Sequence, residues 1–492
     1  MLLLVSLLAT AYPLFLLGLL VLYVSKKRRI YAHHRRLGRT AEATSDGRML
    51  TIGIFHPYAN GGGGGERVLY CALAALVKRM KQQSTAKTLR LVLYTGDDGL
   101  DAATLIERSA ERFNLPELRA LRVDSFLKIV TLTKRAILEP SQYPRFTLFW
   151  QSVAHIRLAL EAFAAGEKMG LYPEVWMDTT GCPFSYVVAK GLYACRVVAY
   201  VHYPMISTDM ISKVQERTTG FNNNSAIAAS TSRSYVKYIY YRLFAGAYGV
   251  LGRTCTDVVM VNSTWTYNHI KTLWSGSPII VYPPCGTMEE FMAFDVQSRE
   301  PLALSISQFR PEKNQLLQLQ AFKVLLTKYR TQVQQLCPNL KLVMLGSCRN
   351  ADDEERVVAL KEQCADLGLT QSVNFVVNAS FAELKKYLAR SSIGLHTMYN
   401  EHFGISVVEM MAAGLAVIAN NSGGPSADIV KPGTGFLALT ADEYAEKMLE
   451  ILQLTAEERE QLRIRARESS HRFSDDEFAK QLITALEPVL QL

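Results

Sequence analysis

The chain has 492 residues, too many for one hydrophobic core, so two or more domains are expected. Apolar residues make up 49% and charged residues 20%, the balance of a globular protein, which excludes a low-complexity or disordered chain. The net charge of +9 is moderate and unevenly placed, and no nucleic-acid partner is expected from it.

Met1 to Ser25 carries no charged side chain, and Lys26, Lys27, Arg28, Arg29, Arg35, Arg36 and Arg39 follow it. As a helix this segment is roughly 36 Å long, enough to cross a bilayer core. A cleaved signal peptide competes, with Ala9-Thr10-Ala11 as its cleavage site. But there is no basic n-region, and the apolar run continues to Val24. The expectation is a transmembrane anchor over 1–25 and a basic cytosolic linker over 26–48, with the body of the chain in the cytosol. The 8 cysteines are dispersed, with no C-x-x-C or Cys/His cluster, which fits reduced thiols rather than disulfides or zinc. The sequon Asn262-Ser263-Thr264 would then stay unmodified.

The first strand reads at Leu50–Phe55 and runs into His56-Pro57-Tyr58-Ala59-Asn60, then five glycines, Glu66 and Arg67. A helix follows over Val68–Lys81. Strand, Gly-rich turn and helix bring a backbone close to a phosphate in α/β folds. This is neither G-x-G-x-x-G nor a P-loop. Five glycines between a strand and a helix nonetheless argue for close approach of a ligand. Further strands read at Leu89–Tyr94, Val175–Met177, Val197–Val201, Val258–Val261 and Ile279–Tyr282, and Asn262-Ser263-Thr264 is a fair N-cap for a helix to Leu273. Such alternation predicts a parallel, doubly wound sheet. Two stretches fit it poorly. Phe146–Ala165 is apolar and aromatic, and Tyr235–Val250 holds five Tyr with Lys237 and Arg242 between them. Each is either a buried helix or a helix lying in a membrane interface.

Pro283-Pro284-Cys285-Gly286 is a stiff break where the domain boundary is expected. A second alternation follows: strand Ala303–Ile306, helix from Asn314, strand Lys341–Leu345, helix from Asp352, strand Val373–Val377, helix Phe381–Leu388. The stretch 394–409 then joins a buried strand end, a loop carrying Glu401, and a helical spacing from Phe403 that carries Glu409. A loop entering a helix N-terminus offers free N–H groups to an anion, and the two carboxylates suit sugar or ribose hydroxyls beside it. After a strand at Ala416–Ala419 comes the turn Asn421-Ser422-Gly423-Gly424-Pro425, then helices over 441–452, 455–470 and 475–490.

Arg310 and Lys313, in Phe309-Arg310-Pro311-Glu312-Lys313-Asn314, leave a strand end in the second domain. Arg can fork onto phosphate and Lys supplies a point charge. This basic loop, the 394–409 loop and the Gly423-Gly424 turn all follow strands of one sheet, and together they describe a nucleotide-diphosphate site. His202 ends a strand of the first domain and is expected at the same cleft. No D-x-D occurs. Asp97-Asp98 and Asp352–Glu355 read as caps and solvated charges, so no metal cofactor is expected, and Arg310, Lys313 and backbone N–H groups must stabilise a leaving diphosphate.

Glu401-x7-Glu409, the Arg-Pro-Glu-Lys-Asn loop, the Gly-Gly turn and the strand-end His202 together resemble the retaining GT-B glycosyltransferases of family four, over nearly everything after residue 48. Phe55–Tyr58, Gly61–Arg67, Tyr200–Pro204, Ser207–Met210, Tyr282–Cys285, Gln308–Asn314 and Glu401–Gly404 narrow the resemblance to mannosyltransferases of asparagine-linked glycosylation. The resemblance implies two Rossmann-like domains facing a cleft: an acceptor domain over 49–284 and a nucleotide-sugar domain over 285–474. A C-terminal helix over 475–492 would pack back on the first. It implies α-1,2 transfer of mannose from GDP-mannose to a dolichol-linked oligosaccharide, as the fourth and fifth mannoses, at the cytosolic face of the endoplasmic-reticulum membrane. Other mannosyltransferases of that pathway are candidate partners. It places Glu401 over the donor sugar, Glu409 on the ribose, and Arg310 and Lys313 on the diphosphate. His402, Phe403 and Gly404 would lie at the donor, Gly63, Gly64 and Gly65 at the donor diphosphate or the acceptor, and His202 near the reacting carbon. Family members carry an acid three residues after the second Gly of the turn; here that position is Ala427, and the neighbouring acid Asp428 has no assigned role. Two alternatives remain: a UDP-sugar transferase of the same fold, and a non-catalytic subunit that keeps the fold.

Overall fold

The computed structural model describes residues 49–82, 88–218, 229–286 and 288–490. The expected anchor and basic linker lie outside them. Among the described residues, no helix is long and apolar enough to cross a membrane.

The chain divides into two compact units. Among the described residues, the first comprises 49–260, 269–279 and 483–490; the second comprises 261–268 and 280–482. Both are α/β with mainly parallel sheets. The helix Asp475–Leu490 is therefore shared, with 483 onward counted in the first unit, where Arg196 Nη1 donates to Pro488 O at 3.0 Å.

The first sheet comprises β1 (Met49–Phe55), β2 (Thr88–Thr95), β3 (Leu127–Thr131), β4 (Val175–Asp178), β5 (Arg196–Val201), β6 (Val258–Val261) and β7 (Ile279–Ile280), in the order β3-β2-β1-β4-β5-β6-β7. β3 escaped the sequence reading because Leu127-Lys128-Ile129-Val130-Thr131 is short and interrupted by a lysine. The second sheet comprises β8 (Glu300–Ile306), β9 (Lys341–Gly346), β10 (Val373–Val377), β11 (Ser391–Leu395), β12 (Ala416–Asn420) and β13 (Phe436–Ala438), in the order β10-β9-β8-β11-β12-β13, with every pairing parallel. Its inner strands β9, β8, β11 and β12 are buried on both faces, so they read as near-continuous apolar runs, while the edge strands β10 and β13 are only partly covered.

The order of each sheet decides where a ligand can sit. It reverses between β1 and β4 in the first sheet and between β8 and β11 in the second. Loops leaving the C-terminal ends of strands diverge at such a reversal and open a crevice.

The two aromatic stretches are helices, Thr147–Lys168 and Thr231–Cys255, and each has a buried face and an exposed apolar one. Ala154, Leu158, Ala159, Ala162 and Phe163 are buried, as are Tyr241, Phe244 and Tyr248. Phe146, Phe149, Trp150, Tyr235, Val236 and Leu243 are exposed, Leu243 by 71%. The exposed sets adjoin: Phe149 N–H donates to the Tyr240 hydroxyl at 3.0 Å, and the Phe146 ring meets Tyr240 edge-on at 5.5 Å.

Candidate active site

In the second unit the loops after β8 and β11 flank the reversal, and they carry the residues singled out from the sequence. After β8, Phe309 is buried, Arg310 is extended, Pro311–Lys313 make one 3-10 turn, and Asn314 takes the left-handed conformation at φ 50°. The turn is fastened to the loop after β11, because Thr397 Oγ1 donates to Lys313 O at 2.9 Å and receives Gln318 Nε2 at 2.9 Å. Arg310 Nη2 pairs with Glu312 Oε1 at 2.7 Å and stays more than a third exposed.

Lys313 turns the other way. Its Nζ lies 2.5 Å from Glu401 Oε2, with the lysine 20% and the glutamate 12% exposed. His396 Nε2 lies 3.3 Å from the same oxygen, and His402 N–H donates to Oε1 at 3.2 Å. Burial pushes the Glu401 carboxyl up. The Lys313 ammonium, the His396 hydrogen bond and the charges of both histidines outweigh it and hold Glu401 far below the usual carboxylate range. The carboxylate is thus ionised and gripped at both oxygens.

The Gly423-Gly424 turn after β12 closes over this loop. A Cβ at Gly423 would stand 2.2 Å from Glu401 O, and one at Gly424 would stand 2.5 Å from Phe403 O. Gly424 N–H donates to Glu401 O at 2.8 Å, and Asn400 N–H donates to Ser422 Oγ at 2.7 Å. Only glycine admits that contact, and Gly423 also sits at φ 62°. The helix begins at Ile405 rather than Phe403 and runs to Ala412, with Gly404 as its N-cap at φ 111° and no side-chain cap bond. Phe403 belongs to the core, edge-on to Phe473 at 5.2 Å and tilted on Tyr282 at 5.9 Å. His402 stacks on Trp265 at 5.3 Å. Glu409 lies half-buried on the helix between the core residues Val408 and Met410.

The structure gives Asp428 a role. Buried in the π-helical turn Pro425–Ile429, it accepts from Thr264 N at 2.8 Å, Thr264 Oγ1 at 2.5 Å and the Tyr282 hydroxyl at 3.0 Å. It holds the start of the helix Thr264–Trp274, which Ser263 also caps through Thr266 N–H at 3.1 Å. Asp428 therefore fixes Trp265 and, through it, His402. Its partners precede it by more than a hundred residues, so no local pattern could reveal this.

In the first unit the helix starts at Gly64, earlier than the spacing predicts, so Gly64 and Gly65 form its first turn. The glycine turn is largely shaped around the chain's own Glu66. Glu66 Oε2 accepts from Gly63 N–H at 2.7 Å, half of a capping box, and Oε1 lies 3.5 Å from His56 Nε2. Cβ atoms at Gly61 and Gly63 would stand 2.9 and 2.7 Å from that carboxyl. Burial raises the Glu66 pKa, but the His56 interaction and the N–H donors more than offset it, leaving it below its usual value. His56 Nδ1 meets Thr179 Oγ1 at 2.7 Å, tying the loop after β1 to the loop after β4. His202, after β5, approaches Gly65: a Cβ there would stand 3.7 Å from its Nε2. Gly63–Gly65 and His202 are thus gathered at one edge of the first sheet, and Arg310, Lys313, Glu401–Gly404 and Glu409 at the corresponding edge of the second.

Sequence reasoning missed His396, Glu66 and Trp265. His396 alone carried a signal, a polar residue ending an apolar strand run.

Residues 49–274 match a family described as "ALG11 mannosyltransferase N-terminus", and residues 287–469 match "Glycosyl transferases group 1". A protein of Mus musculus named GDP-Man:Man(3)GlcNAc(2)-PP-Dol alpha-1,2-mannosyltransferase is 44% identical over 93% of this chain and 91% of its own length. The proteins of that name from Homo sapiens and Dictyostelium discoideum are 45% and 39% identical, over 90% of this chain and 88% and 85% of theirs. The chain belongs to this mannosyltransferase family. Among solved structures, Anabaena HepE in complex with UDP matches with a TM-score of 0.59 at 15% identity, over 89% of this chain and 100% of that one. Sucrose-phosphate synthase of Thermosynechococcus elongatus matches with a TM-score of 0.58 at 16% identity, over 90% and 99%. These likenesses agree with the GT-B-like pair of Rossmann-like sheets expected from the sequence.

Proposed function

We propose that the protein transfers mannose from GDP-mannose, in α-1,2 linkage and with retention, to a dolichol-diphosphate-linked oligosaccharide that already carries three mannoses. Its membership of a family whose curated relatives carry that name supports the reading. The observation that carries the site is the Glu401 carboxylate, ionised, gripped at both oxygens and set beside an uncapped helix start. Such a start receives the donor diphosphate on its free N–H groups, with Arg310 and Lys313 adding charge as the leaving group forms. Glu401 then reaches the hydroxyls of the donor sugar, and Glu409 takes the ribose. Set beside the anion-binding helix start, on the donor's side, Glu401 is placed for hydrogen bonds to sugar hydroxyls rather than for attack on the opposite face of the sugar carbon. The reading is front-face substitution, in which a leaving phosphate oxygen takes the acceptor's proton and no glycosyl-enzyme forms. The first unit is assigned the acceptor, and His202 contact with the transferred sugar. The Gly63 N–H is already committed to Glu66, so this edge suits hydroxyls better than a second phosphate. No metal is assigned a part.

The segment Met1–Ser25 and the basic run after it support a single anchor in the endoplasmic-reticulum membrane with both units cytosolic. The exposed apolar patch over Phe146, Phe149, Trp150, Val236 and Leu243, flanked by the exposed cations Arg145, Arg233 and Arg242, supports a second contact with the headgroup layer. The test is to offer the full-length protein several nucleotide-sugars with a lipid-linked trimannosyl acceptor. GDP-mannose should be consumed, with an α-linked product by NMR and no mannosyl adduct by intact mass. Preference for a UDP-sugar, a β-linked product or an adduct on an Asp or Glu would overturn the reading.

A further inference from the structure

Glu401 and the donor diphosphate call on the same cation. Lys313 Nζ lies 2.5 Å from Glu401 Oε2, and the donor reading above gives that ammonium to the diphosphate. An ammonium can face both, but its hold on the carboxylate weakens as it is drawn towards phosphate charge. Glu401 then needs another donor to stay aimed at the sugar.

His396 is placed to be that donor. It follows β11 directly and is only 3% exposed. Both of its backbone polar groups are used: its N–H donates to Ile418 O at 3.0 Å, and its carbonyl accepts from the Tyr444 hydroxyl at 2.7 Å. The ring therefore leaves a clamped stretch of backbone. Its Nε2 lies 3.3 Å from Glu401 Oε2. An ionised carboxylate only accepts, so Nε2 carries the hydrogen whatever the charge on the ring. The opposite nitrogen, Nδ1, is buried and has no hydrogen-bond partner among the described residues. Burying an unmatched polar atom is unfavourable, and a Met or Leu of similar size would avoid it. What explains a histidine here is the use made of Nε2. Lys313 and Glu401 from the two facing loops are the charged groups at this ring, with His402 next along the chain; Tyr444 reaches only the backbone carbonyl.

We propose that His396 is a positioning residue for sugar transfer: its Nε2–H keeps the Glu401 carboxylate in place while Lys313 serves the diphosphate. The other oxygen, Oε1, accepts only the 3.2 Å bond from His402 N–H among the bonds described, and it keeps lone pairs for sugar hydroxyls. This rests on the donor reading of the second unit.

The test uses the full-length enzyme with GDP-mannose and a lipid-linked acceptor, and measures kcat, donor KM and the Kd for GDP. His396→Met should lower kcat by roughly 10- to 100-fold, the loss expected when a reacting group is misplaced, with GDP Kd and donor KM changed by less than about threefold. His396→Gln places an amide N–H near the position of Nε2 without a titratable ring and should recover most of that loss. In a Glu401→Gln background, His396→Met should add little further loss, because the group it positions is already gone. Wild-type kcat in His396→Met overturns the proposal. So does a kcat loss in His396→Gln equal to that in His396→Met, or full additivity with Glu401→Gln. If wild-type protein does not bind GDP, the donor reading itself fails; if GDP binds and His396→Met is unimpaired, only the role of His396 fails.

Discussion

Replacing Lys313 by Met keeps the aliphatic stem and removes the charge, leaving Glu401 a buried carboxylate held by His396 and one backbone N–H. Breaking a fully buried ion pair at one partner costs about 3–5 kcal/mol. Here the lysine is 20% and the glutamate 12% exposed, and two hydrogen-bond donors remain, so a cost of about 2–3 kcal/mol is expected. That corresponds to a drop of roughly 5–10 °C in the unfolding temperature for a domain of this size. The pH dependence follows from the direction of the Glu401 shift. Its folded pKa lies well below the unfolded value, so its contribution is fully present above the unfolded carboxylate range and is lost only as pH falls through the folded value. Without Lys313 the largest lowering influence is gone while desolvation stays, and the folded pKa rises. The gap between wild type and Lys313→Met should therefore be widest near neutrality and narrow below about pH 4. Thermal unfolding of the detergent-solubilised protein from about pH 3 to pH 8 reads this directly. The double variant Lys313→Met/Glu401→Gln, with no buried charge left unpaired, should be more stable than Lys313→Met alone. A flat pH response, or a double variant whose loss equals the sum of the singles, would refute the coupling.

Glu401→Gln should lower kcat by about 100-fold, because its contacts strengthen as charge develops on the sugar. Glu409→Gln should instead raise donor KM more than it lowers kcat; equal effects from the two variants in steady-state kinetics would contradict the assignment. Asp428→Ala strands Thr264 N–H, Thr264 Oγ1 and the Tyr282 hydroxyl and should cost about 2–4 kcal/mol, seen as a lower melting temperature, while Asp428→Asn should cost less. Activity should survive EDTA; abolition with rescue by Mg²⁺ would require a metal in the mechanism. A protein lacking Met1–Arg39 should still sediment with anionic liposomes at low salt, and Phe149→Ser with Leu243→Ser should release it; a truncated chain that stays in solution would assign the apolar patch another role.

The sequence made legible what depends on neighbours in the chain. Alternating strands and helices located two parallel sheets, and Arg310, Lys313, Glu401 and Glu409 were found because all four sit on loops or a helix start after strand ends of one sheet. What escaped depends on distance. Asp428 could not be read because its partners, Thr264 and Tyr282, are brought to it by tertiary folding. His396 was passed over because it ends a strand pattern in which Ile393 and Leu395 carry the period. The helix Thr231–Cys255 stayed ambiguous because its tyrosines are split between faces: Tyr241 and Tyr248 are core, and Tyr235 is exposed. Glu66 was read as the end of the glycine turn, before a helix from Val68, but it returns to Gly63 N–H and the helix starts inside the glycine run.

The two glycine-rich turns show why composition alone misassigns such motifs. Both follow a strand and precede helical structure, and both invite the inference that missing side chains admit a ligand. At Gly61 and Gly63 the atom that a Cβ would strike belongs to Glu66, and at Gly423 and Gly424 it belongs to the backbone of Glu401, His402 or Phe403. In each case glycine first serves contact within the protein. The consequences differ, because the groups brought in differ. The first turn receives a carboxylate, which takes up an N–H and leaves negative charge at that edge. The second receives a neutral backbone carbonyl, and the helix start at Ile405 beside it, with Gly404 as N-cap, has no side-chain cap. An anion is therefore favoured at the second edge and disfavoured at the first. A transferase that places a nucleoside diphosphate on one unit and a neutral sugar hydroxyl on the other needs that asymmetry.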